Sequence, residues 1–116
     1  ASCKYLTNLD FNMSINLPVS DRQIQKKFKH AADFGVSGNY NLQTAAAFAA
    51  AIQTHVQKQG VQEIAGTYRR QPVKHYFDPA TNLNVIVDAG DNFISGWKLN
   101  SAQIAELSAT GDIGGG

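Results

Sequence analysis

The stretch QEIAGTYRRQPVKHYFDPATNLNVIVDAGDNFISGWKL, residues 62–99, decides the predicted fold of this chain. Apolar and polar residues alternate along it with a period of two, which is typical of β-strands. Three turn-rich segments divide the stretch into four predicted strands, at residues 62–68, 73–77, 83–88 and 93–99. Because the connecting segments have the length of hairpin loops, consecutive strands should pair antiparallel in a meander.

Helical patterns precede the strands. Ser20 and Gln23 form a candidate capping box, and the helix that they begin is predicted to end near residues 33–35. A second helix is predicted from about residue 42 to residue 59, because its alanine-rich middle has high helix propensity and Gly60 is a typical residue after a helix. Helices followed by a twisted four-stranded antiparallel sheet place the chain in the α+β class.

The chain has 116 residues, 43% of them hydrophobic, which is enough for one domain with a single core. We expect residues 1–19 to be a lead-in segment, residues 20–107 to be the functional domain with a helical turn near its end, and residues 108–116 to be a flexible tail. The sequence contains no apolar run of membrane-spanning length and no signal-peptide pattern. Since it begins without Met and ends in three glycines, we expect it to be a piece of something longer.

Charge is unevenly distributed along the chain, although the net charge is only +1. Residues 22–74 carry eight Lys or Arg against two acids, whereas residues 75–116 carry one Lys against five acids. This polarity suggests an anionic partner for one face of the domain. The single cysteine excludes an internal disulfide framework, and the three histidines have none of the spacings of a metal site. No metal and no cofactor are therefore expected.

The cluster Lys26-Lys27-Phe28-Lys29-His30 is the most unusual feature of the first predicted helix. A helix with no use for three neighbouring cations would usually include acids four residues away. The cations disfavour protonation of His30, which leaves a neutral base available near pH 7, and they attract a phosphodiester. A base and a phosphate clamp in one place are the requirements for cutting RNA without a metal. The alternative is a solvated basic face near a helix C-terminus.

The other two histidines are predicted to be structural or unremarkable. His75 alternates with Val73 and Phe77, so we expect it to be a core or rim residue of a strand. His55 is most simply a surface residue of the second helix.

Two further groups could contact RNA. Ser95 and Trp97 are two residues apart and share a face of the last strand, where Ser95 could donate a hydrogen bond to a phosphate oxygen. Trp97 could stack on an unpaired base, or it could be the core aromatic of the sheet. A second basic cluster, Arg69, Arg70 and Lys74, is equally compatible with phosphate contacts and with ordinary turn polarity.

Three segments resemble the catalytic domain of the colicin D family, in the order in which that family has them. They are KKFKHAADFG at residues 26–35, GTYR and PVKHY within residues 66–76, and NFISGWKL at residues 92–99. The resemblance covers about residues 20–107 and extends to the colicin-D-like toxin domains of contact-dependent growth inhibition proteins. Its K-x-K-H and S-G-W-K-L segments are the most specific part.

The resemblance implies a metal-independent endonuclease that cuts the anticodon loop of target-cell tRNA and leaves a 2′,3′-cyclic phosphate and a 5′-hydroxyl. It implies the small fold shared by barnase-like, EndoU, colicin and RelE-type nucleases. His30 would be the catalytic base, and the rest of the catalytic set would be Lys27, Lys29, Ser95 and Trp97. We expect the remaining substrate contacts to come from Lys26, Tyr68, Arg69, Arg70, Lys74 and Lys98. A lysine, Tyr68 or His30 itself would protonate the leaving oxygen.

A toxin of this kind implies partners as well as a substrate. The producing cell needs an immunity protein, and an acidic one that covers the Lys/His cluster would block the site. A host translation factor is a further partner that the resemblance allows. The chain would then be the C-terminal piece of a larger secreted or cell-surface bacterial toxin that acts in the target-cell cytoplasm. A non-catalytic RNA-binding module and a protein-interaction module, each using the same basic face, are the alternatives.

Overall fold

A computed structural model describes residues 17–114 of the chain. Its helices are α1 (Asp21–Lys27), a 3-10 helix (Phe28–Phe34), α2 (Leu42–Gln57) and α3 (Ser101–Thr110). Its strands are β1 (Gln62–Tyr68), β2 (Gln71–Asp78), β3 (Leu83–Asp88), β4 (Phe93–Lys98) and β5 (Asp112–Ile113). The predicted α+β class is confirmed, since helices precede a sheet whose first four strands pair antiparallel in sequence order. Most of the predicted lead-in segment, residues 1–16, lies outside the described residues.

The sheet has a fifth strand that the sequence did not predict. The strand order is β4-β3-β2-β1-β5, and β5 pairs parallel with the end of β1. The expectation of a flexible tail after residue 107 is therefore wrong for residues 108–113. Helix α3 continues to Thr110, and Ile113 is buried.

The close approach of β5 to β1 depends on a glycine. A Cβ added to Gly66 would lie 1.9 Å from the carbonyl oxygen of Gly111, so any side chain there would push the C-terminal segment away. Two hydrogen bonds from Thr67 help to hold that segment in place. The backbone N–H of Thr67 donates to the oxygen of Gly111 at 2.9 Å, and the hydroxyl of Thr67 donates to Asp112 Oδ1 at 2.7 Å.

Hydrophobic side chains cover both faces of the sheet, where the sequence predicted a single core. One face packs against α1, the 3-10 helix and α2, and its buried strand residues are Tyr76, Val85, Val87 and Phe93. The opposite face is covered by α3, and its buried residues include Tyr68, Val73, Phe77, Ile86 and Trp97. The sheet thus separates a helix-covered cluster from a second cluster, to which Trp97 belongs.

The chain enters the first cluster at Leu17, which is buried. The side-chain amide of Gln53 on α2 binds both backbone groups of Leu17, accepting from its N–H at 2.9 Å and donating to its oxygen at 2.6 Å. The compact unit therefore includes residues before the predicted boundary at residue 20.

The first predicted helix changes type in its middle. Ser20 caps α1 by accepting from the backbone N–H of Gln23, as predicted, but α1 ends at Lys27. The chain continues as a 3-10 helix. That helix is capped by Gly35, whose φ of 83° is left-handed. Because a 3-10 helix has three residues per turn, the change rotates every later side chain relative to an ideal α-helix.

Candidate active site

His30 and Trp97 meet at the edge strand of the sheet. The imidazole stacks on the indole, with 5.6 Å between the ring centroids and 30° between the ring planes. His30 is half-buried, whereas Trp97 is only 6% exposed. The stack therefore gives His30 a fixed surface on one side and leaves part of the residue in contact with solvent.

Two contacts hold the 3-10 helix against β4 and so position His30. Asp33 Oδ2 accepts a hydrogen bond from the backbone N–H of Lys98 at 3.0 Å. The ring of Phe34 lies over Gly96, where an added Cβ would be 3.1 Å from Phe34 Cζ. A glycine at this position in the S-G-W-K-L segment thus lets the helix approach the strand.

The stack continues through the interior to the β1–β2 hairpin. The rings of Trp97 and Tyr68 are 6.0 Å apart at an angle of 52°, and the guanidinium carbon of Arg69 lies 5.2 Å from the centroid of Tyr68. We call the four residues His30, Trp97, Tyr68 and Arg69 the aromatic row. The indole N–H donates to Gln103 Oε1 of α3 at 3.3 Å, which fixes the middle of the row.

Lys27 is the buried cation of the site, only 6% exposed. Burial lowers the pKa of its ammonium group below the ordinary value, and repulsion from Arg69, Lys29 and Lys26 lowers that pKa further. The sequence predicted the cluster of Lys26, Lys27 and Lys29. It did not predict that Lys27 would be the buried member, or that Arg69 would join it from the hairpin.

The hairpin that carries Arg69 has an unusual backbone. Tyr68 pairs with Gln71, so the turn consists of Arg69 and Arg70 alone, with φ of 52° and 68°. The predicted loop at residues 69–72 is therefore too long, and β2 begins earlier than expected. Two-residue turns of this kind favour Asn-Gly, and a left-handed residue with a Cβ costs about 1–2 kcal/mol. Backbone strain of this kind clusters at functional sites.

A cleft of about 470 Å³ opens beside Lys27, between α1 and the hairpin. Lys26, Lys27 and Arg69 line one part of it. Pro72, Val73 and Ile94 line another part with apolar surface. No local sequence pattern predicts this cleft, because its walls come from α1 and from the four strands β1 to β4.

Ser95 and Trp97 share a face of β4, as predicted, but both lie inside the protein. Ser95 has no exposed surface, so its hydroxyl does not reach a phosphate in this arrangement. Trp97 is a core aromatic, which was the alternative interpretation, and it stacks on His30 instead of presenting a free face to a base.

The remaining predicted contacts differ in where they lie. Arg70 is exposed at the hairpin tip, and Lys98 is exposed on the edge strand. Lys74 has carboxylate partners, with Nζ 3.2 Å from Asp91 Oδ1 and 3.7 Å from Glu63 Oε2, and the hydrogen bond to Asp91 raises its pKa. Lys74 is therefore paired with carboxylates and is not part of the aromatic row.

His55 is buried, so the prediction of a surface position is wrong. Its Nε2 donates to the backbone oxygen of Tyr76 at 2.7 Å, and burial lowers its pKa. The sequence contained the information, because His55 lies three residues after Ile52 and beside Val56 on the buried stripe of α2.

His75 is fully buried, in agreement with the predicted core position. Its Nε2 donates to the backbone oxygens of Gly111 at 3.0 Å and Thr67 at 3.3 Å, and its Nδ1 accepts from Asn84 Nδ2 at 3.1 Å. Burial lowers the pKa of this imidazole, which is consistent with the neutral form that accepts from Asn84.

Among residues 17–114, no group of three or more His, Cys, Asp or Glu side chains is arranged to hold a metal ion. No helix within the same described range is long and apolar enough to cross a membrane.

Comparisons with known proteins match most of this domain. A family model described as Colicin D matches residues 23–107. The colicin-D protein of Escherichia coli is 43% identical over 83 residues, which are 70% of this chain and 12% of that protein's length. A solved ribonuclease from Escherichia coli, complexed with its inhibitor protein, aligns with a TM-score of 0.70 and 39% identity over 78% of this chain and 99% of its own. The family match includes the whole aromatic row and Lys26, Lys27 and Lys29.

Proposed function

From the fact that this chain belongs to the colicin D family, we propose that it is the nuclease domain of a bacterial toxin and cleaves target-cell tRNA in the anticodon loop. The observation that carries the proposal is the site around Lys27. His30 is half-buried, stacks on the indole of Trp97 and lies one helical turn after buried Lys27. Arg69 of the hairpin lies close to the same lysine. This arrangement combines a proton acceptor with the positive charge that a phosphodiester needs.

In the proposed reaction, neutral His30 takes the proton of a ribose 2′-hydroxyl, and the oxygen attacks the adjacent phosphorus. The new 2′-O–P bond forms as the P–O5′ bond breaks, so the products are a 2′,3′-cyclic phosphate and a 5′-hydroxyl. Lys27 and Lys29 offset the negative charge that builds on the phosphorane oxygens, which is usually the largest catalytic contribution.

The leaving O5′ needs a proton, and Lys27 is the favoured donor. Burial and the neighbouring cations lower the pKa of Lys27, which makes its ammonium group a stronger acid than an ordinary lysine. The alternatives are that His30 returns its proton or that the phenol of Tyr68 donates one.

Trp97 orients His30, and we propose that fully buried Ser95 acts as a positioning residue. Its replacement by alanine should lower kcat without changing KM.

We propose an acidic immunity protein as the cognate partner. The exposed cations Lys26, Lys29 and Arg69 lie near buried Lys27, and Arg70 follows Arg69 in the turn. A carboxylate-rich surface would complement these cations as RNA does. The ribonuclease that this chain resembles was solved with its inhibitor protein bound, which supports a partner of the same kind here. A host translation factor stays a proposal from the family resemblance alone.

The chain spans 12% of the length of the curated relative that it matches. We propose that it is likewise one piece of a larger secreted or cell-surface toxin. Since tRNA is its proposed substrate, this piece would act in the cytoplasm of the target cell.

Incubation with total tRNA in EDTA tests the proposal directly. We expect cleavage at one anticodon-loop position, with mass spectrometry identifying a 2′,3′-cyclic phosphate on the 5′ fragment. His30→Ala should bind tRNA with nearly unchanged affinity and leave it intact. Loss of cleavage in EDTA with recovery on adding magnesium or zinc would reject the His/Lys mechanism. Binding without cleavage by the unmodified domain would favour an RNA-binding module.

A further inference from the structure

We propose that the cleft beside Lys27 binds one unpaired nucleobase of the RNA and that Asp88 contacts the hydrogen-bonding edge of this base. The inference rests on the proposed ribonuclease function and adds a base-recognition site to it. It also assigns a role to Asp88 and Ile94, which are not among the site residues predicted from the sequence.

The walls of the cleft match the phosphate and the base of a nucleotide. Lys26, Lys27 and Arg69 supply positive charge for the phosphate, and Val73 and Ile94 supply apolar surface for a flat ring. Asp88 lies in the wall as a hydrogen-bond acceptor for N–H groups at the ring edge. The volume of about 470 Å³ is within the range of small-molecule sites.

A β-bulge carries Ile94 into this wall. Ile86 pairs with Ser95 and Val87 pairs with Phe93, so Ile94 is the extra residue of β4. Gln23 of α1, which also lines the cleft, donates its side-chain N–H to the backbone oxygen of Ile94. Bulges next to active sites re-aim side chains, and here the bulge is tied to the helix that carries Lys26 and Lys27.

The carboxylate of Asp88 is held with one oxygen available. Its Oδ1 accepts from the backbone N–H groups of Gly90 at 2.8 Å and Asn92 at 2.9 Å, and from Asn92 Nδ2 at 3.2 Å. Its Oδ2 has only a 3.4 Å contact with Asn92 Nδ2. The turn thus fixes the carboxylate while Oδ2 keeps accepting capacity for a ligand.

A carboxylate oxygen selects among bases because it only accepts hydrogen bonds. Adenine, cytosine and guanine present an amino group, whereas the single N–H on the edge of uracil lies between two carbonyl oxygens. Asp88 Oδ2 would repel those oxygens. The subsite should therefore favour an amino-bearing base over uracil at one position of the bound RNA.

Equilibrium binding of 2′-O-methyl heptanucleotides tests this inference, since they lack the nucleophile and are not cleaved. In one set, each position in turn carries each of the four bases. We expect one position at which uracil weakens binding by about tenfold, the size expected for one hydrogen bond to a charged group. In Asp88→Asn the side-chain oxygen can keep the bonds within the turn while the amide presents a donor, so the preference at that position should disappear or reverse.

Asp91→Asn is the matched control, because Asp91 belongs to the same turn but binds Lys74 and is not part of the cleft wall. It should keep the preference of the unmodified domain. Ile94→Ala should weaken binding of all four bases at that position to a similar degree, and it gives a second test should Asp88→Asn not fold. Equal affinity for the four bases at every position, or a preference that survives Asp88→Asn, would overturn the subsite. Absent tRNA cleavage would reject the ribonuclease proposal and leave this binding result standing.

Discussion

The imidazole of His30 and the indole of Trp97 are stacked at 5.6 Å, although 66 residues separate them along the chain. Gln103 of α3 accepts a hydrogen bond from the indole N–H. Asp33 binds the 3-10 helix of His30 to β4, the strand that carries Trp97. The orientation of His30 therefore depends on β4 and α3 as well as on its own helix.

The first prediction separates the roles of two histidines. His30→Ala should stay folded and lose cleavage, because His30 is half-buried and outside the main clusters. His75→Ala should lose about 1–3 kcal/mol of unfolding free energy, since it removes bonds to Gly111 and Asn84, and should keep activity below its melting temperature. Urea unfolding and tRNA cleavage of both variants check this. A folded, inactive His75→Ala beside an active His30→Ala would overturn the site assignment.

The second prediction concerns the buried cation. Lys27→Met keeps the volume of the side chain and removes a charge that burial and three neighbouring cations disfavour. We expect kcat to fall by about 100-fold or more while the melting temperature stays at or above that of the parent. Lys26→Met is the control, because Lys26 is exposed and should affect kcat by less than tenfold. A clear drop in stability for Lys27→Met would make Lys27 a structural residue.

The third prediction uses salt to count phosphate contacts. Arg69→Gln should flatten the slope of log affinity against log salt by about 0.7, the value for one contact with a single strand. Lys74→Gln should leave the slope unchanged, because Lys74 is paired with Asp91 and Glu63. Titration of labelled tRNA between about 50 and 200 mM salt, a range over which phosphate contacts change the affinity strongly, gives both slopes. Equal slopes for Arg69→Gln and the parent would remove Arg69 from the RNA interface.

The fourth prediction concerns acid stability. Burial lowers the pKa of His55 and of His75 below the ordinary 6.5, and this effect exceeds the rise caused by their hydrogen bonds to backbone oxygens and by the nearby Asp78 and Asp112. As pH falls below 6.5, the unfolded chain takes up protons that the folded domain does not, so stability should fall with pH. Each histidine contributes at most about 1.4 kcal/mol per pH unit. Asp78, whose pKa the bond from Lys58 lowers, adds a loss at still lower pH, on passing through its folded-state pKa.

Urea midpoints at pH 7.5, 6.5 and 5.5, followed by Trp97 fluorescence, check the fourth prediction. His75→Gln should show a shallower pH dependence than the parent, because one of the two titrating groups is gone. A parent domain that is equally stable at all three pH values would contradict it.

Local sequence patterns predicted the helices, strands and hairpin turns, because these elements form between residues that are close together along the chain. The cap at Ser20, the alternation through residues 62–99 and the hairpin-length loops sufficed for the α+β class and the meander. The same alternation placed His75 in the core. The prediction for His55 was wrong because its neighbours Gln57 and Lys58 are polar, whereas the side chain of His55 lies on the buried stripe of Ile52 and Val56.

The sequence by itself determined which residue types are available to the proposed catalytic site and which predicted helices and strands carry them, because periodicity and motif spacing act over a few residues. Tertiary structure alone decided that Lys27 is buried, that Trp97 supports His30 from inside, and that Lys74 is paired elsewhere. It also decided that residues 112–113 complete the sheet, since their partner strand lies more than forty positions earlier. Burial, desolvation and charge repulsion depend on which distant segments pack together, and no local pattern specifies that packing.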